Sequence, residues 1–161
     1  MGTRSVIAVP TDNGFRGRYC HWDGYPSHQL PALFGIVEHL GIEVARRTLT
    51  EEHRSWSHLV TPDRPASTDS LLGAGGVLPR VGVFHTDLGA HEDPWITNRD
   101  TDSWCEWAHV LNDLGVAVFE ATAGAWAHVA DVRYTDPLTE DLLGWLDDPQ
   151  RAPRRPARLT A

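Results

Sequence analysis

The feature that most constrains the fold of this chain is an Asn-Gly pair between two extended segments near its start. Residues 3–9 are rich in β-branched side chains, and residues 15–22 form a second extended run. The Asp12-Asn13-Gly14 sequence between them predicts a tight hairpin turn, because such turns need residues that accept positive φ. Strand alternation divides the second run into two faces, with Phe15, Gly17, Tyr19 and His21 on one and Arg16, Arg18, Cys20 and Trp22 on the other.

Two helices are predicted after the hairpin. Apolar residues recur at helical spacing over residues 30–40, with Ser27 as the expected N-cap and Gly41 as the C-cap. A second helix is expected from residue 42 to about residue 53. Residues 60–79 are rich in Pro, Ser, Asp and Gly, a composition that predicts a loop.

The rest of the chain predicts further strands and a short helix. Extended patterns cover residues 81–85, 104–111, 115–121 and 125–134, and a helix is expected within residues 135–148. Short connections between neighbouring strands force antiparallel pairing. We therefore expect an α+β fold, with a single mostly antiparallel sheet of about six strands and two or three helices packed on one face. Residues 1–148 would form this single domain, and residues 149–161 a flexible Arg- and Pro-rich tail.

Composition excludes several function classes. All 14 basic residues are Arg, so pyridoxal phosphate and a P-loop nucleotide site, which both need a lysine, are excluded. A net charge of −8 disfavours nucleic acid as a partner of the domain. No apolar run reaches the ~18 residues of a membrane span, and no secretory signal is recognised. We therefore expect no membrane association and a cytoplasmic location, with Cys20 and Cys105 reduced.

The first candidate site is the segment from Tyr19 to Pro26, at the end of the second strand. His21 and Asp23 share a face if the strand continues, and they would then act together as general base and orienting carboxylate. Cys20 and His21 point to opposite faces, which argues against a nucleophile–base pair. The alternative is that Asp-Gly-Tyr-Pro is only a turn that leads into the first helix.

The second candidate site follows the strand at residues 81–85. His85, Asp87 and His91 supply imidazole and carboxylate, the ligands of zinc, iron or manganese, so a divalent metal is the candidate cofactor. Their spacing matches no established metal motif. A solvated polar loop therefore remains the alternative.

The third candidate site is a set of aromatic residues. Seven Trp residues are many for a chain of this length, and most are expected in the core. A cleft for a planar or sugar ligand is the alternative, because an indole beside a carboxylate contacts both parts of such a ligand. The candidate ligand-binding residues are Tyr19, Trp22, Tyr25, Trp104 and Glu106.

Three short segments resemble a group of small uncharacterised proteins of actinobacteria and their phages. These proteins begin Met-Gly-Thr-Arg, as this chain does at Met1-Gly2-Thr3-Arg4, and carry a motif like Trp22-Asp23-Gly24-Tyr25-Pro26. The stretch Trp104-Cys105-Glu106-Trp107-Ala108 is also similar. The resemblance implies a cytoplasmic or phage-encoded accessory protein, and it carries over no activity, cofactor or site residue.

The leading hypothesis is a small accessory protein that binds a small ligand or a protein partner through the Asp23 turn and the loop after His85. The alternative is a hydrolase in which His21 or His85 is the general base and Asp23 orients it. In a variant of that alternative, metal held by His85, Asp87 and His91 activates water. A further alternative is an acidic inhibitory or structural protein, suggested by the net charge of −8.

Overall fold

The computed structural model describes residues 2–63, 65–66, 75–86, 95–101 and 104–148. The described chain contains nine strands and three α-helices. The strands are β1 (Ser5–Thr11), β2 (Gly14–Cys20), β3 (Ser55–Leu59), β4 (Gly75–Leu78), β5 (Gly82–His85), β6 (Ile96–Thr97), β7 (Trp107–Leu111), β8 (Gly115–Thr122) and β9 (Ala125–Arg133). The helices are α1 (Pro26–Leu40), α2 (Ile42–Arg46) and α3 (Glu140–Asp147).

The predicted hairpin is present and forms the centre of the sheet. β1 and β2 pair antiparallel along their whole length, from Thr11 opposite Gly14 at the turn to Ser5 opposite Cys20 at the far end. The predicted faces are also present, since Phe15 and Tyr19 pack on one side of the sheet while Cys20 lies in the core on the other side.

The sheet is mixed and larger than predicted. Its strands run in the order β4-β5-β3-β2-β1-β7-β8-β9, and β6 pairs with β2 as a side branch. Most pairs are antiparallel, as expected, but β1 pairs parallel with β7 and β2 parallel with β3. The segment between β2 and β3 contains α1 and α2, which gives the long crossover that a parallel pair requires.

The sequence predicted about six strands because three of those observed lack a clear pattern. β3, β4 and β6 are short, and polar or glycine-rich in part. β4 lies within the region 60–79, which was predicted to be a loop, and that prediction is wrong at this strand. Such segments become strands because neighbouring strands satisfy their backbone groups, a non-local effect that propensity does not contain.

The helices also differ from the prediction at their ends. α1 begins at Pro26, with Tyr25 rather than Ser27 at the N-cap position, because proline is favoured in the first helical turn. α2 ends at Arg46 and continues as one π-helical turn, Arg47–Glu51. α3 lies within the range 135–148 where a short helix was predicted, and the Thr139 hydroxyl caps it by accepting from the Leu142 amide. None of the described helices is long and apolar enough to cross a membrane.

The two faces of the sheet have different coverings. On one face the helices bury a large core with side chains from β1, β2, β3, β7 and β8, including Ile7, Trp56 and Leu111. The opposite face carries a smaller cluster around Val6, Phe15 and Val110, to which the described helices contribute no residue. In the described part of the chain, the second face is therefore covered by side chains of the strands and of the segments that connect them, without the helices.

A buried arginine joins the helix face to the rest of the domain. Arg18 is 2% exposed, and its Nε donates to the Thr50 carbonyl over 2.7 Å. Its guanidinium lies 3.5 Å from the centre of the Trp95 ring. Hydrogen bonding and cation–π contact together offset the cost of burying this charge.

A buried histidine on β7 supports the turn before α1. His109 is fully buried, and its Nε2 lies 2.9 Å from the Gly24 carbonyl oxygen, to which it donates. Its Nδ1 has no hydrogen-bond partner among the described atoms. Burial lowers the pKa of His109 from 6.5 to about 4, because the charged imidazolium is poorly solvated there.

This shift predicts a loss of stability in mild acid. Below pH 6.5 the unfolded chain protonates His109, whereas the folded chain does so only near pH 4. The free energy of unfolding should therefore fall between these two pH values, by ~3 kcal/mol from this residue. Urea unfolding of wild type and His109→Gln at pH 7.0, 5.5 and 4.5 measures the effect. The variant should show a flatter pH dependence, and identical slopes in both proteins would contradict the prediction.

Candidate functional site

Five polar side chains from four parts of the sheet meet at one end of it. We call this group the corner site: Arg4, Tyr19, His21, Ser55 and His85. The parallel register places Tyr19 directly opposite Ser55. The antiparallel pairing of Trp56 with Phe84 brings the preceding Ser55 beside His85. The site lies on the face away from the helices, where Tyr19 packs against the smaller cluster.

The first half of the corner site is a hydrogen bond between Tyr19 and His21, with Arg4 beside it. The Arg4 guanidinium lies near enough to the Tyr19 hydroxyl to lower its pKa, and that hydroxyl lies 2.7 Å from His21 Nδ1. Because the adjacent cation favours a hydroxyl that turns its oxygen towards Arg4, we assign the Tyr19 proton to the bond with Nδ1. His21 then carries its own proton on Nε2, the ring nitrogen that makes no bond to Tyr19.

The second half is a serine–histidine pair between β3 and β5. The Ser55 hydroxyl lies 2.9 Å from His85 Nδ1. Ser55 is only 4% exposed, and within the described chain its proton has no other recorded acceptor. We therefore assign the donor role to Ser55, which again leaves the imidazole proton on Nε2.

Both imidazoles are held in the neutral form. Burial is the larger cause that lowers the pKa of His21, and the Arg4 charge lowers it further. Burial is also the larger cause that lowers the pKa of His85, and electrostatic repulsion from His21 lowers it further. The two rings are therefore near enough to interact electrostatically. Burial raises the pKa of Tyr19, which keeps its hydroxyl protonated.

Asp23 occupies a turn that follows the end of β2. β2 ends at Cys20, and Asp23 has a φ of +55°, so the strand alternation expected for His21 and Asp23 does not continue. The structure thus supports the turn interpretation at this point, and the role of Asp23 as orienting carboxylate stays a prediction.

One of the aromatic candidates, Trp22, packs against the corner site. The Trp22 ring packs edge-on against His21, with the ring centres 4.5 Å apart. Trp104 is 80% exposed and has a φ of +62°, an unusual conformation for a large side chain. Tyr25 is 45% exposed beside the start of α1. Glu106 is exposed, and its backbone amide donates to the Arg4 carbonyl.

Two of the three predicted metal ligands, Asp87 and His91, lie outside the described residues. In the part of the chain that is described, no group of three His, Cys, Asp or Glu side chains is arranged to hold a metal ion. His85 Nδ1 is engaged by Ser55, which leaves Nε2 as its only nitrogen for a ligand.

Two members of the corner site were missed by sequence reasoning. Arg4 shares strand parity with Val6 and therefore faces the same side as Tyr19, a signal that was present in the predicted hairpin. Ser55 had no such signal, because β3 itself was not predicted. Its approach to His85, 30 positions later, depends on strand pairing.

The three segments that carry the sequence resemblance pack against one another. A side chain on Gly2 would collide with the Trp22 ring. The Gly24 amide donates to the Thr3 carbonyl over 2.8 Å, and the Glu106 amide donates to the Arg4 carbonyl over 2.9 Å. The motif residues therefore form one structural unit beside the corner site.

Comparison with known proteins assigns no family to this chain. No protein-family model, no curated protein and no solved structure matches it. The chemistry of the corner site is therefore argued from its own geometry.

The tight packing at Gly24 predicts that this glycine is required for stability. A Cβ there would lie 2.6 Å from the Thr3 carbonyl oxygen and 2.9 Å from Ser5 Cβ. Gly24→Ala should lower the free energy of unfolding by about 1–3 kcal/mol, because backbone must shift to admit the methyl group.

Gly35 in α1 provides the matched control. A Cβ at this position meets no atom within 4 Å, and alanine is the better helix former by ~1 kcal/mol. Gly35→Ala should therefore leave stability unchanged or raise it in the same urea titration. Equal effects of the two substitutions would show that the packing around Gly24 is not the cause.

Proposed function

We propose that this protein is a small accessory module that binds a ligand at the corner site, and that the ligand joins an anionic group to a planar group. The observation that carries the proposal is the convergence of three hydrogen-bond donors on one face. They are the Arg4 guanidinium and the Nε2 groups of His21 and His85. Polar groups that converge from separate elements are typical of ligand sites.

The charge of the site favours an anion. Among the groups of the corner site only Arg4 is charged at neutral pH, because both imidazoles and the Tyr19 phenol are neutral. The carboxylate of Glu106 is exposed at the rim, and no contact between it and Arg4 is recorded. A phosphate or carboxylate group accepts from guanidinium and imidazole donors together, which makes it the best partner for this set.

The nearby aromatic side chains favour a ligand in which a planar group is attached to the anionic group. Trp104 is exposed directly before Cys105, and the Cys105 thiol lies close enough to Tyr19 to influence its pKa. Trp22 adds a second indole next to His21. Exposed indoles stack on flat rings such as nucleobases, with a gain of ~1–3 kcal/mol per base.

Adenosine 5′-monophosphate serves as the probe for this proposal, with adenosine and inorganic phosphate as its two parts. In ¹H–¹⁵N correlation spectra, the nucleotide should shift the amide signals of His21 and His85, and each part alone should bind more weakly. Arg4→Gln should weaken nucleotide binding tenfold or more, since a hydrogen bond between two charged groups contributes ~1.5–3 kcal/mol.

Arg133→Gln is the matched control, because Arg133 is exposed on β9, away from the corner site. This variant should bind the nucleotide like wild type. Equal binding by wild type and Arg4→Gln, or shifts confined to other regions of the sheet, would refute the proposed site.

A hydrolase is the second candidate, and the Ser55–His85 distance of 2.9 Å is the observation that favours it. In this reaction the Ser55 proton moves to His85 Nδ1 while Oγ attacks the acyl carbon of an ester. The leaving alcohol then takes that proton, and water releases the acyl group with His85 as base. This is the weaker candidate because Ser55 is only 4% exposed and because, among the described residues, no carboxylate contacts His85.

A fluorophosphonate reagent tests the nucleophile. If the hydrolase proposal holds, mass spectrometry should find the adduct on Ser55, and Ser55→Ala should abolish both labelling and p-nitrophenyl acetate hydrolysis. Ser57→Ala is the control, because Ser57 lies on the same strand and its hydroxyl is 3.3 Å from another imidazole, that of His58. Absence of an adduct, or an adduct that persists in Ser55→Ala, would rule out this candidate without affecting the binding proposal.

A further inference from the structure

A groove of about 620 Å³ lies on the same face of the sheet, at the hairpin-turn end. Its volume is in the range of small-molecule sites, ~300–1,000 Å³. Phe15, Val110, Ala117 and Phe119 form an apolar floor, and Trp126 forms one wall. Phe15 is six residues from His21 along an extended strand, so the two regions are ~20 Å apart. None of the lining residues belongs to the corner site.

The aromatic walls of the groove are fixed in position. Trp126 Nε1 donates to the Asp100 carbonyl over 3.2 Å. The Phe15 ring centre lies 5.7 Å from that of Trp126 in an edge-on arrangement and 5.4 Å from that of Phe119. A flat aromatic ligand would extend this cluster through the same edge and tilted contacts.

One rim of the groove is held against the hairpin turn. The Asn98 side chain accepts from the Phe15 amide over 3.1 Å and donates to the Asn13 carbonyl over 3.4 Å. Its polar atoms are therefore already engaged by the protein. The neighbouring Arg99 also lines the groove and is exposed.

The Arg99 guanidinium is the one charged group among the described lining residues. Within the described part of the chain, this guanidinium makes no ion pair or side-chain hydrogen bond. Its positive charge lies beside an apolar floor in a protein with a net charge of −8. Such a cation fits a ligand that carries one negative charge next to its apolar part.

We propose that this groove is a second binding site, and that it takes an aromatic acid, a flat apolar ring system that carries a single carboxylate. The ring lies on Phe15 and Phe119 against Trp126, and the carboxylate accepts from Arg99. The inference is independent of the corner site, because different residues line the groove and a different ligand is proposed for it.

Isothermal titration calorimetry with 2-naphthoate and 2-naphthamide tests the site. The two probes share their ring system and differ in charge. Naphthoate should bind at least tenfold more tightly than the amide, and Arg99→Gln should remove this preference, a change of ~1.4 kcal/mol. In ¹H–¹⁵N spectra, naphthoate should shift the amide signals of Ala117, Phe119 and Arg99.

Two control variants keep the sites apart. Arg4→Gln and Arg133→Gln should both bind naphthoate like wild type, since neither residue lines the groove. 2-Naphthyl phosphate, which keeps the ring system of naphthoate, shows whether the groove distinguishes a carboxylate from a phosphate. Tighter binding of the phosphate would overturn the assignment of a carboxylate.

Three results would overturn the proposal as a whole. They are no measurable naphthoate binding, equal affinities for naphthoate and naphthamide in wild type, and naphthoate-induced shifts at His21 and His85 rather than at the groove. Arg99 is exposed on a loop, so Arg99→Gln should fold like wild type, and a far-ultraviolet circular dichroism spectrum checks this.

Discussion

The backbone pairing of β2 with its neighbours is the constraint on which the rest of this structure depends. One edge of β2 pairs with β1 along its full length, and the other edge is shared between β6 near Gly17 and β3 near Tyr19. This division leaves every part of the strand with a partner. It also brings β3, and through it β5, to the end of the sheet where β1 begins. The corner site exists because these strand ends coincide, and the groove exists because β6 and the residues after it lie beside the hairpin turn.

The two faces of the sheet have separate physical roles. The helices cover one face with apolar side chains, and even the charged Arg18 is enclosed there by a carbonyl and an indole. The opposite face is covered only in part by the described chain. Burial there is sufficient to lower the pKa of two imidazoles and raise that of a phenol, yet it leaves Arg99 and Trp104 accessible. A face of this kind suits binding, because its groups are oriented by packing while parts of them remain open.

The corner site shows how burial determines chemistry at neutral pH. His21 and His85 each have one nitrogen engaged by a hydroxyl, which fixes the ring and the position of its proton. Neutral imidazoles next to Arg4 offer directed donors with little added charge. The Ser55 hydroxyl and the His85 imidazole are arranged like a nucleophile and its base, but the low exposure of that hydroxyl limits the approach of a substrate. For this reason we favour the binding proposal over the hydrolase proposal.

The sequence by itself determined the first hairpin, α1 and the faces of β2, because those features depend on local turn chemistry and on side-chain periodicity. It also identified His21, His85 and Trp104 as candidate site residues, since polar and aromatic residues at predicted strand ends can be recognised in a sequence. Only the tertiary structure decided that Ser55 contacts His85 and that Arg4 lies beside Tyr19. It also decided between the two interpretations of Asp23, in favour of the turn. Those outcomes depend on pairing between segments tens of residues apart, and a short polar strand such as β3 is stable only when its neighbours satisfy its backbone.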